Sequence, residues 1–542
     1  MELASSDQMI DHAGTVLTSR LRLVFASAFG ALLEWYDFYI YAALAGNLSV
    51  LFFAQGNSTI AFLSSLATFG VGFLVRPIGA LFFGRLGDTI GRKYTFLMTI
   101  VLMGAATIGV GVLPSYAQIG VAAPILLVLL RLLQGFALGG EVGGAATYLA
   151  EHAPPKRRGL YTSSLQTTAT LGLLLAIAVV AVIRMSLSPE AFQQWGWRVP
   201  FLISGFLLIV SLRLRLKLAE SPTFQKLESE GHLSAAPIAR SLGRWENVKL
   251  ILIMLFSSAS GIGVIFGTGH FFSMFFLQYT LKLPPNLVSL YFAIALVCAV
   301  PFYFIFGGLS DRIGRKWIMM IGCLLFSASV LPIFGGLTHF GNPALEHFRR
   351  TTPVVVHASQ CHGWINLGAQ SECDRVRSFL TTTGVVYRVE PPSSAVVSVT
   401  VGSVSLPGHD IPAITRGLQQ AGWSNHADPA RINAAGVVVL MWILVLFLTM
   451  IYGPAAAFMV ELFPADVRYT SLSLPFHVGA GWFGGMLPLV VAALGAASGD
   501  IYFGLWYPVG VSAVSFIIGA LAMPETLRMD INRYTPASTR RL

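Results

Sequence analysis

Runs of about 20 mainly apolar residues recur along this chain, and that is the length an α-helix needs to cross the hydrocarbon core of a bilayer. They lie near 22–52, 58–83, 94–113, 120–149, 160–184, 198–216, 248–279, 286–307, 316–337, 434–459, 469–496 and 500–523. Lipid offers no partner to a backbone N–H or C=O, so such runs span as helices. The expectation is an all-α polytopic membrane protein with twelve transmembrane helices. Composition agrees: 55% of the 542 residues are hydrophobic and 11% charged, against about a quarter charged in soluble domains. That excludes a cytosolic enzyme, a secreted disulfide scaffold and a disordered chain. Residues 1–20 hold no cleavable apolar run, so the first span is expected to be retained.

The net charge of +10 is a matter of position. With a cytoplasmic N-terminus, 23 Lys and Arg fall in inner segments and three, Arg184, Arg198 and Lys282, in short outer loops. This bias sets orientation. Both termini are expected in the cytoplasm of a bacterial-type cell with an inner (plasma) membrane, and the charge carries no argument for nucleic acid. Residues 338–433 differ, being polar and free of Lys. Helix counting places them outside, where long domains translocate regardless of charge.

Internal repeats divide the chain. Gly84-Arg-Leu-Gly-Asp88-Thr-Ile-Gly91-Arg92-Lys93 recurs as Gly307-Gly-Leu-Ser-Asp311-Arg-Ile-Gly314-Arg315-Lys316, an offset of 311 − 88 = 223. Glu151-x-x-Pro154-x-x-x-Arg158 recurs as Glu461-x-x-Pro464-x-x-x-Arg468 at 310, and Glu220-Ser221 matches Glu525-Thr526 at 305. Two six-helix halves of this kind mark a duplicated transporter. The offset grows by 310 − 223 = 87 between the first two motifs, close to the length of 338–433. The expected organisation is therefore an N-terminal half (1–216), a cytoplasmic linker (217–247), the C-terminal half in two parts (248–337 and 434–523), the insertion (338–433) and a tail (524–542).

These strings, together with Glu34-Trp-Tyr-Asp37-Phe, Arg76-Pro-Ile-Gly79, Arg131-Leu-Leu-Gln134-Gly, Gly140-Glu141-x-Gly-Gly144 and Trp195-Gly-Trp-Arg198-Val-Pro200, resemble the major facilitator superfamily and, within it, the metabolite:proton symporter branch. The resemblance covers nearly all of the chain except the insertion. It implies a major facilitator fold and a gating role for Gly84, Asp88, Gly91, Arg92, Lys93, Asp311, Gly314, Arg315, Lys316, Glu151, Arg158, Glu461 and Arg468. The basic residues are expected to meet carboxylates of the facing half, such as Glu151 or Glu461, when the cavity opens outward. The alternative is plain inner-loop charge.

Charges inside spans are costly and mark function. They are Glu34, Asp37, Arg76, Arg131 and Glu141, all in the N-terminal half. Glu34 and Asp37 stand at i and i+3 on one helix face, near mid-membrane by helix rise, as candidate proton carriers or as a pair neutralised by Arg76 or Arg131. Glu141 is a further carrier candidate. Arg131 reads as a coupling counter-ion or as a clamp for a substrate carboxylate. Arg76, Gln134, Tyr161, Gln166 and His477 are further substrate-binding candidates, and His270 a lesser one. Gly135, Gly139 and Gly143 read as a packing ridge.

In the insertion, Cys361 and Cys373 are a candidate disulfide in an oxidising compartment, with free thiols or a metal site as alternatives; no metal site is expected. Val396–Leu406 alternates like one strand and Ile411–Gln420 reads as a helix ended by Gly422, giving a small α+β cap. The function expected is proton-coupled symport of a small organic acid by alternating access, with no cofactor beyond the proton gradient and no enzymatic activity. The partners are substrate, protons and the bilayer, with no nucleic acid, and the protein is expected to act as a monomer. Uncoupled facilitation, zwitterion symport and a transporter-like receptor are the alternatives.

Overall fold

The computed structural model describes residues 3–53, 68, 70–216, 220–231, 233, 236–358, 371–391 and 396–532, with side chains in the first helix from residue 28 onward. Its frame is helical. Helix α1 (Leu3–Phe52) is continuous and begins 22 − 3 = 19 residues before the expected first span, over a stretch free of proline. Helix α2 (Arg76–Thr89) belongs to the second expected span, of which residues 58–67 and 69 lie outside the described residues. Ten helices among the described residues are long and apolar enough to cross a membrane. They are α3 (Arg92–Val112), α4 (Ala122–His152), α5 (Pro155–Ser186), α6 (Gly196–Leu216), α7 (Trp245–Thr280), α8 (Pro285–Ile313), α9 (Lys316–Gly341), α10 (Ala434–Leu462), α11 (Arg468–Gly495) and α12 (Phe503–Ala522).

Within the first six helices α1 packs on α5 and α3 on α6; within the last six α8 packs on α10 and α9 on α12. Two seams join the groups, α2 against α11 and α5 against α8. Each seam sets the second helix of one half against the fifth of the other. The seams are close because glycines remove side chains there. A Cβ on Gly84 would lie 3.0 Å from the Thr470 Cα, and one on Gly307 would lie 2.6 Å from the Gly159 carbonyl oxygen.

Helices α7 and α11 are irregular. Leu255–Ala259, Gly267–Phe272 and Phe276–Thr280 of α7 are π-helical, as is Val478–Gly485 of α11. Pro475 lies just before the α11 stretch and cannot donate to the helix ladder, and Gly479, Gly481, Gly484 and Gly485 follow. π-Turns concentrate at functional sites, and here the two irregular stretches touch: a Cβ on Gly267 would fall 2.6 Å from the Gly484 carbonyl oxygen.

Between α9 and α10 the chain builds an α+β unit. Its sheet has the order β2-β1-β3-β4, with β1 (Val354–His357) parallel to β2 (Arg388–Glu390) and antiparallel to β3 (Ser398–Val401), which pairs with β4 (Val404–Pro407). The single strand expected over Val396–Leu406 is thus a hairpin, because Gly402 takes a left-handed φ of +60° and turns the chain. The helix Ile411–Gln420 is capped by Asp410 and followed by Gly422 at φ +94°. The unit docks on the C-terminal half. Arg349 donates to Tyr502 (2.9 Å), the Tyr387 amide to Gly499 (3.1 Å) and the Ala427 amide to Lys282 (3.1 Å). These contacts lie at the helix ends opposite to the repeated motifs. Cys373 is buried and disulfide-bonded; Cys361 lies outside the described residues.

Candidate functional site

The repeated motifs gather at one end of the helices, where each half grips a helix start of the other. Helix N-termini leave backbone N–H groups unpaired and carry partial positive charge, so a carboxylate binds well there. Asp88, at the end of α2, accepts from the Tyr469 amide (3.3 Å), the Thr470 amide (3.0 Å) and the Thr470 hydroxyl (2.7 Å) in the first turn of α11. Asp311, near the end of α8, accepts from the Gly159 and Leu160 amides at 2.8 Å each, near the start of α5.

Ion pairs surround these grips. Glu151 joins Arg92 of its own half to Arg468 of the other, the latter at 2.9 Å. Glu461 takes Arg315 of its own half at 3.1 Å and Arg158 of the other at 3.8 Å. The expectation that Arg92 and Arg315 reach carboxylates of the facing half is therefore corrected. Each finds its carboxylate inside its own half, on the helix packed beside it, and the crossing pairs are made by Arg468 and Arg158. Lys93 and Lys316 contribute main-chain amides instead of ion pairs among the described residues. The Lys93 amide donates to Glu220 (3.1 Å), and the Arg315 and Lys316 amides donate to Glu525 (2.9 and 3.1 Å). This gives the third repeat its place. Gly91 (φ +119°) and Gly314 (φ +103°) hold conformations that side chains avoid, and a Cβ on Gly91 would lie 2.6 Å from Glu220 Oε2. Glycine there lets the carboxylate reach the helix start.

Deeper in the bundle lies a second cluster. Glu34 is ion-paired with Arg215 of α6 at 2.6 Å, both buried. Neither Arg76 nor Arg131 is its partner. Gly30 makes the room one turn earlier, since a Cβ there would sit 2.7 Å from Arg215 Nε. Arg215 belongs to the last turn of α6, so the pair links Glu34 to the end of the bundle that carries the repeated motifs. Asp37, one turn on, faces Ser204 of α6 and Thr107 of α3. A polar chain connects this region to α4: Arg131 donates to Gln134 (2.6 Å), which donates to Thr107 (2.8 Å).

Arg76 lies over the rings of Phe73 (3.9 Å) and Phe38 (4.5 Å), and Arg131 over Tyr41 (4.5 Å) and Phe38 (4.8 Å). Arg76 Nε and Nη2 are buried with no hydrogen-bond partner among the described residues, as are Tyr39 Oη and both ring nitrogens of His477. All three side chains are within electrostatic reach of one another or of Tyr452. The cluster extends into the second half: Tyr303 and His270 contact the Thr170 hydroxyl at 2.8 and 3.2 Å, and His270 stacks on Phe266 at 4.7 Å.

Of the other expected site residues, Glu141 is buried just past the break in α4 at Gly139–Gly140, with Oε2 unpaired. Gln166 is buried with Nε2 unpaired. Tyr161 stands two residues past Gly159, at the gate end of α5, about 14 Å by helix rise from Thr170. Sequence reasoning passed over Tyr39, Tyr303, Tyr452 and Thr170, since an aromatic or threonine in an apolar span reads as packing. Arg215 was counted as loop charge. No group of three or more His, Cys, Asp or Glu placed to hold a metal ion occurs among the described residues.

The family described as "Sugar (and other) transporter" matches residues 23–258. The inner membrane metabolite transport protein YhjE of Escherichia coli K12 is 37% identical over 333 residues, which cover 61% of this chain and 76% of that protein. The shikimate transporter of the same strain is 38% identical, covering 60% and 74%. A solved structure of the proton:xylose symporter XylE matches with a TM-score of 0.61 at 17% identity, covering 95% of this chain and 98% of that one.

Proposed function

This chain belongs to the major facilitator superfamily of metabolite transporters and is not an enzyme, and we propose that it is a proton-coupled symporter of a small organic acid. On this reading twelve helices span a bacterial inner membrane with both termini in the cytoplasm, and the α+β unit lies outside. The gate end is then the cytoplasmic face, closed here by Asp88 and Asp311. Alternating access opens it by parting the α2–α11 and α5–α8 seams.

The observation that carries the substrate class is Arg76. A buried guanidinium with two free donors, beside Tyr39 and His477 with unpaired polar atoms of their own, is costly unless something pairs with it. A carboxylate does so with matched, charge-assisted hydrogen bonds. The flanking Phe38 and Phe73 rings hold the guanidinium in place. The neighbours His477, Tyr452 and Tyr303 come from the second half, so a bound acid would touch both halves and bias their relative position. Relatives named for shikimate and for alpha-ketoglutarate support the acid reading.

Proton coupling rests on Asp37, with Glu34 one turn before it and Glu141 as a further carrier. The Arg131–Gln134–Thr107 chain ends against Asp37, so a change in its charge is felt at the base of the arginine pair. The test is uptake of a panel of carboxylates and betaines into proteoliposomes under an imposed pH gradient. Accumulation of a carboxylate that Arg76→Lys weakens mainly through KM, and that Asp37→Asn abolishes while counterflow persists, supports the proposal. Gradient-driven uptake untouched in both Asp37→Asn and Glu34→Gln overturns the coupling. Selective uptake of a betaine overturns the substrate class.

A further inference from the structure

The two seams are built differently at one position. Tyr469 follows Arg468 at the start of α11; the repeat offset of 310 places Gly159 at the corresponding point of α5. Gly159 meets Gly307 backbone to backbone. Tyr469 instead drives a fully buried ring into the N-terminal half. The walls of its socket are glycines from two helices. A Cβ on Gly87 would lie 2.6 Å from ring carbons, one on Gly143 3.1 Å from Cδ1, and one on Gly144 2.7 Å from Oη. The hydroxyl donates to the Gly140 carbonyl at the break in α4. By the same offsets, Ser310, Gly453 and Pro454 stand in the other half where Gly87, Gly143 and Gly144 make the socket. Neither the plug nor a full set of glycines is repeated there.

What lies behind the socket joins the two clusters. Phe96 forms its floor, with Cε1 2.8 Å from a Cβ built on Gly144, and the Arg215 guanidinium lies 5.0 Å from the Phe96 ring centre. Tyr469 is within electrostatic reach of Asp88 on one side and of Glu34 and Arg215 on the other. Its backbone amide holds Asp88 while its ring reaches toward the Glu34–Arg215 pair.

We infer that the Tyr469 side chain is the positioning latch of the gate: the α2–α11 seam closes only with this ring seated in the socket of Gly87, Gly143 and Gly144, whereas the α5–α8 seam closes without a latch. The inference rests on the alternating-access reading given above. Planar, well-buried aromatics close such holes efficiently because their ring makes many contacts with few rotatable bonds. Because the grip of Asp88 uses only main-chain atoms of Tyr469, it survives loss of the ring, and the latch can be tested apart from it.

The test uses the full-length protein in proteoliposomes with Cys298→Ser, and a reporter Ser473→Cys. Ser473 is buried one turn past Tyr469, against Gly143, with an unpaired hydroxyl. Alkylation of the reporter by a membrane-impermeant maleimide from the gate side reads seam opening. Tyr469→Ala should raise its rate on the order of tenfold or more, as expected for emptying a packed aromatic site. Tyr469→Phe, which loses one hydrogen bond, should raise it about threefold. Gly87→Ala, whose Cβ would have its three nearest atoms in the Tyr469 ring, should open the seam as well, and Gly87→Ala with Tyr469→Ala should match Tyr469→Ala alone, since the two act through one contact. A monodisperse size-exclusion peak and parent-like helical circular dichroism of each purified variant confirm folded protein. Unchanged alkylation in Tyr469→Ala, or additive effects in the double variant, overturns the latch. A reporter that reacts under no condition, with or without substrate, overturns the alternating-access reading instead.

Discussion

At the α2–α11 seam, Asp88 takes two amides and a hydroxyl from the opposite half, and Glu151 stands between Arg92 and Arg468. At the α5–α8 seam, Asp311 takes two amides from the opposite half but also the Arg315 guanidinium of its own motif at 2.7 Å. Glu461 is held chiefly by that same Arg315 and by the Thr526 hydroxyl at 2.8 Å, with Arg158 farther off. The first copy of the motif therefore commits its carboxylates to the seam, while the second ties part of its charge within its own half. The two copies of the motif keep the same parts without dividing the load in the same way.

The comparison is sharpest at the bridging carboxylates. Glu151→Gln removes the carboxylate from between two fully buried arginines, and breaking such a buried pair costs about 3–5 kcal/mol. It should abolish transport and lower the Tm more than Glu461→Gln, where Arg315 keeps Asp311 as its counter-ion. Thermal unfolding of the two purified variants checks this, and equal losses would break the comparison. Next come the grips. Asp88→Asn should weaken seam closure by roughly 1.5–3 kcal/mol, the value of charge-assisted hydrogen bonds. Asp311→Asn should do less, as Arg315 still finds Glu461. Gate-side alkylation of a reporter cysteine in each background measures the difference.

Smaller effects probe where the seams should agree. Gly91→Ala and Gly314→Ala both force a side chain into a disfavoured backbone conformation and against a carboxylate, costing about 1–3 kcal/mol each. Denaturation of the two variants should give matched losses; a large disparity would show that the Glu220 and Glu525 caps are not equivalent. Least is expected from Lys93→Ala and Lys316→Ala, whose hydrogen bonds to Glu220 and Glu525 are made by main-chain amides. Transport rates within twofold of the parent are expected, and a tenfold loss in either would give its ammonium a role that the geometry does not.

Much of this architecture was legible in the sequence. From Arg92 on, the apolar runs coincide with long helices, and the repeats mark the carboxylates and arginines that gather at one end. Partners were harder to read. Arg92 and Glu151 look like facing-half partners when only the motif is visible, yet they belong to helices packed together within one half. Glu34 has Arg76 and Arg131 as the candidate partners inside the expected spans and pairs with a third arginine, Arg215, because α1 lies against α6 and Gly30 leaves a gap. The Val396–Leu406 stretch alternates throughout, and only Gly402 turns it into a hairpin.

By itself, the sequence determined that the chain crosses a membrane, that three motifs recur at large offsets along it, and that the charges inside its expected spans fall in the N-terminal part, although the structure also buries Arg315, Glu461 and Arg468. These follow from local quantities: the length and polarity of a run, and identity at a fixed offset. Tertiary structure alone decided which half each charge serves. Ion pairing and socket formation depend on helix–helix approach, which is set by where side chains are missing as much as by where they are present. Tyr469 shows the point. In the sequence it is one aromatic among 64 Phe, Trp and Tyr residues; against three glycines distant in the chain, it becomes the piece that fits.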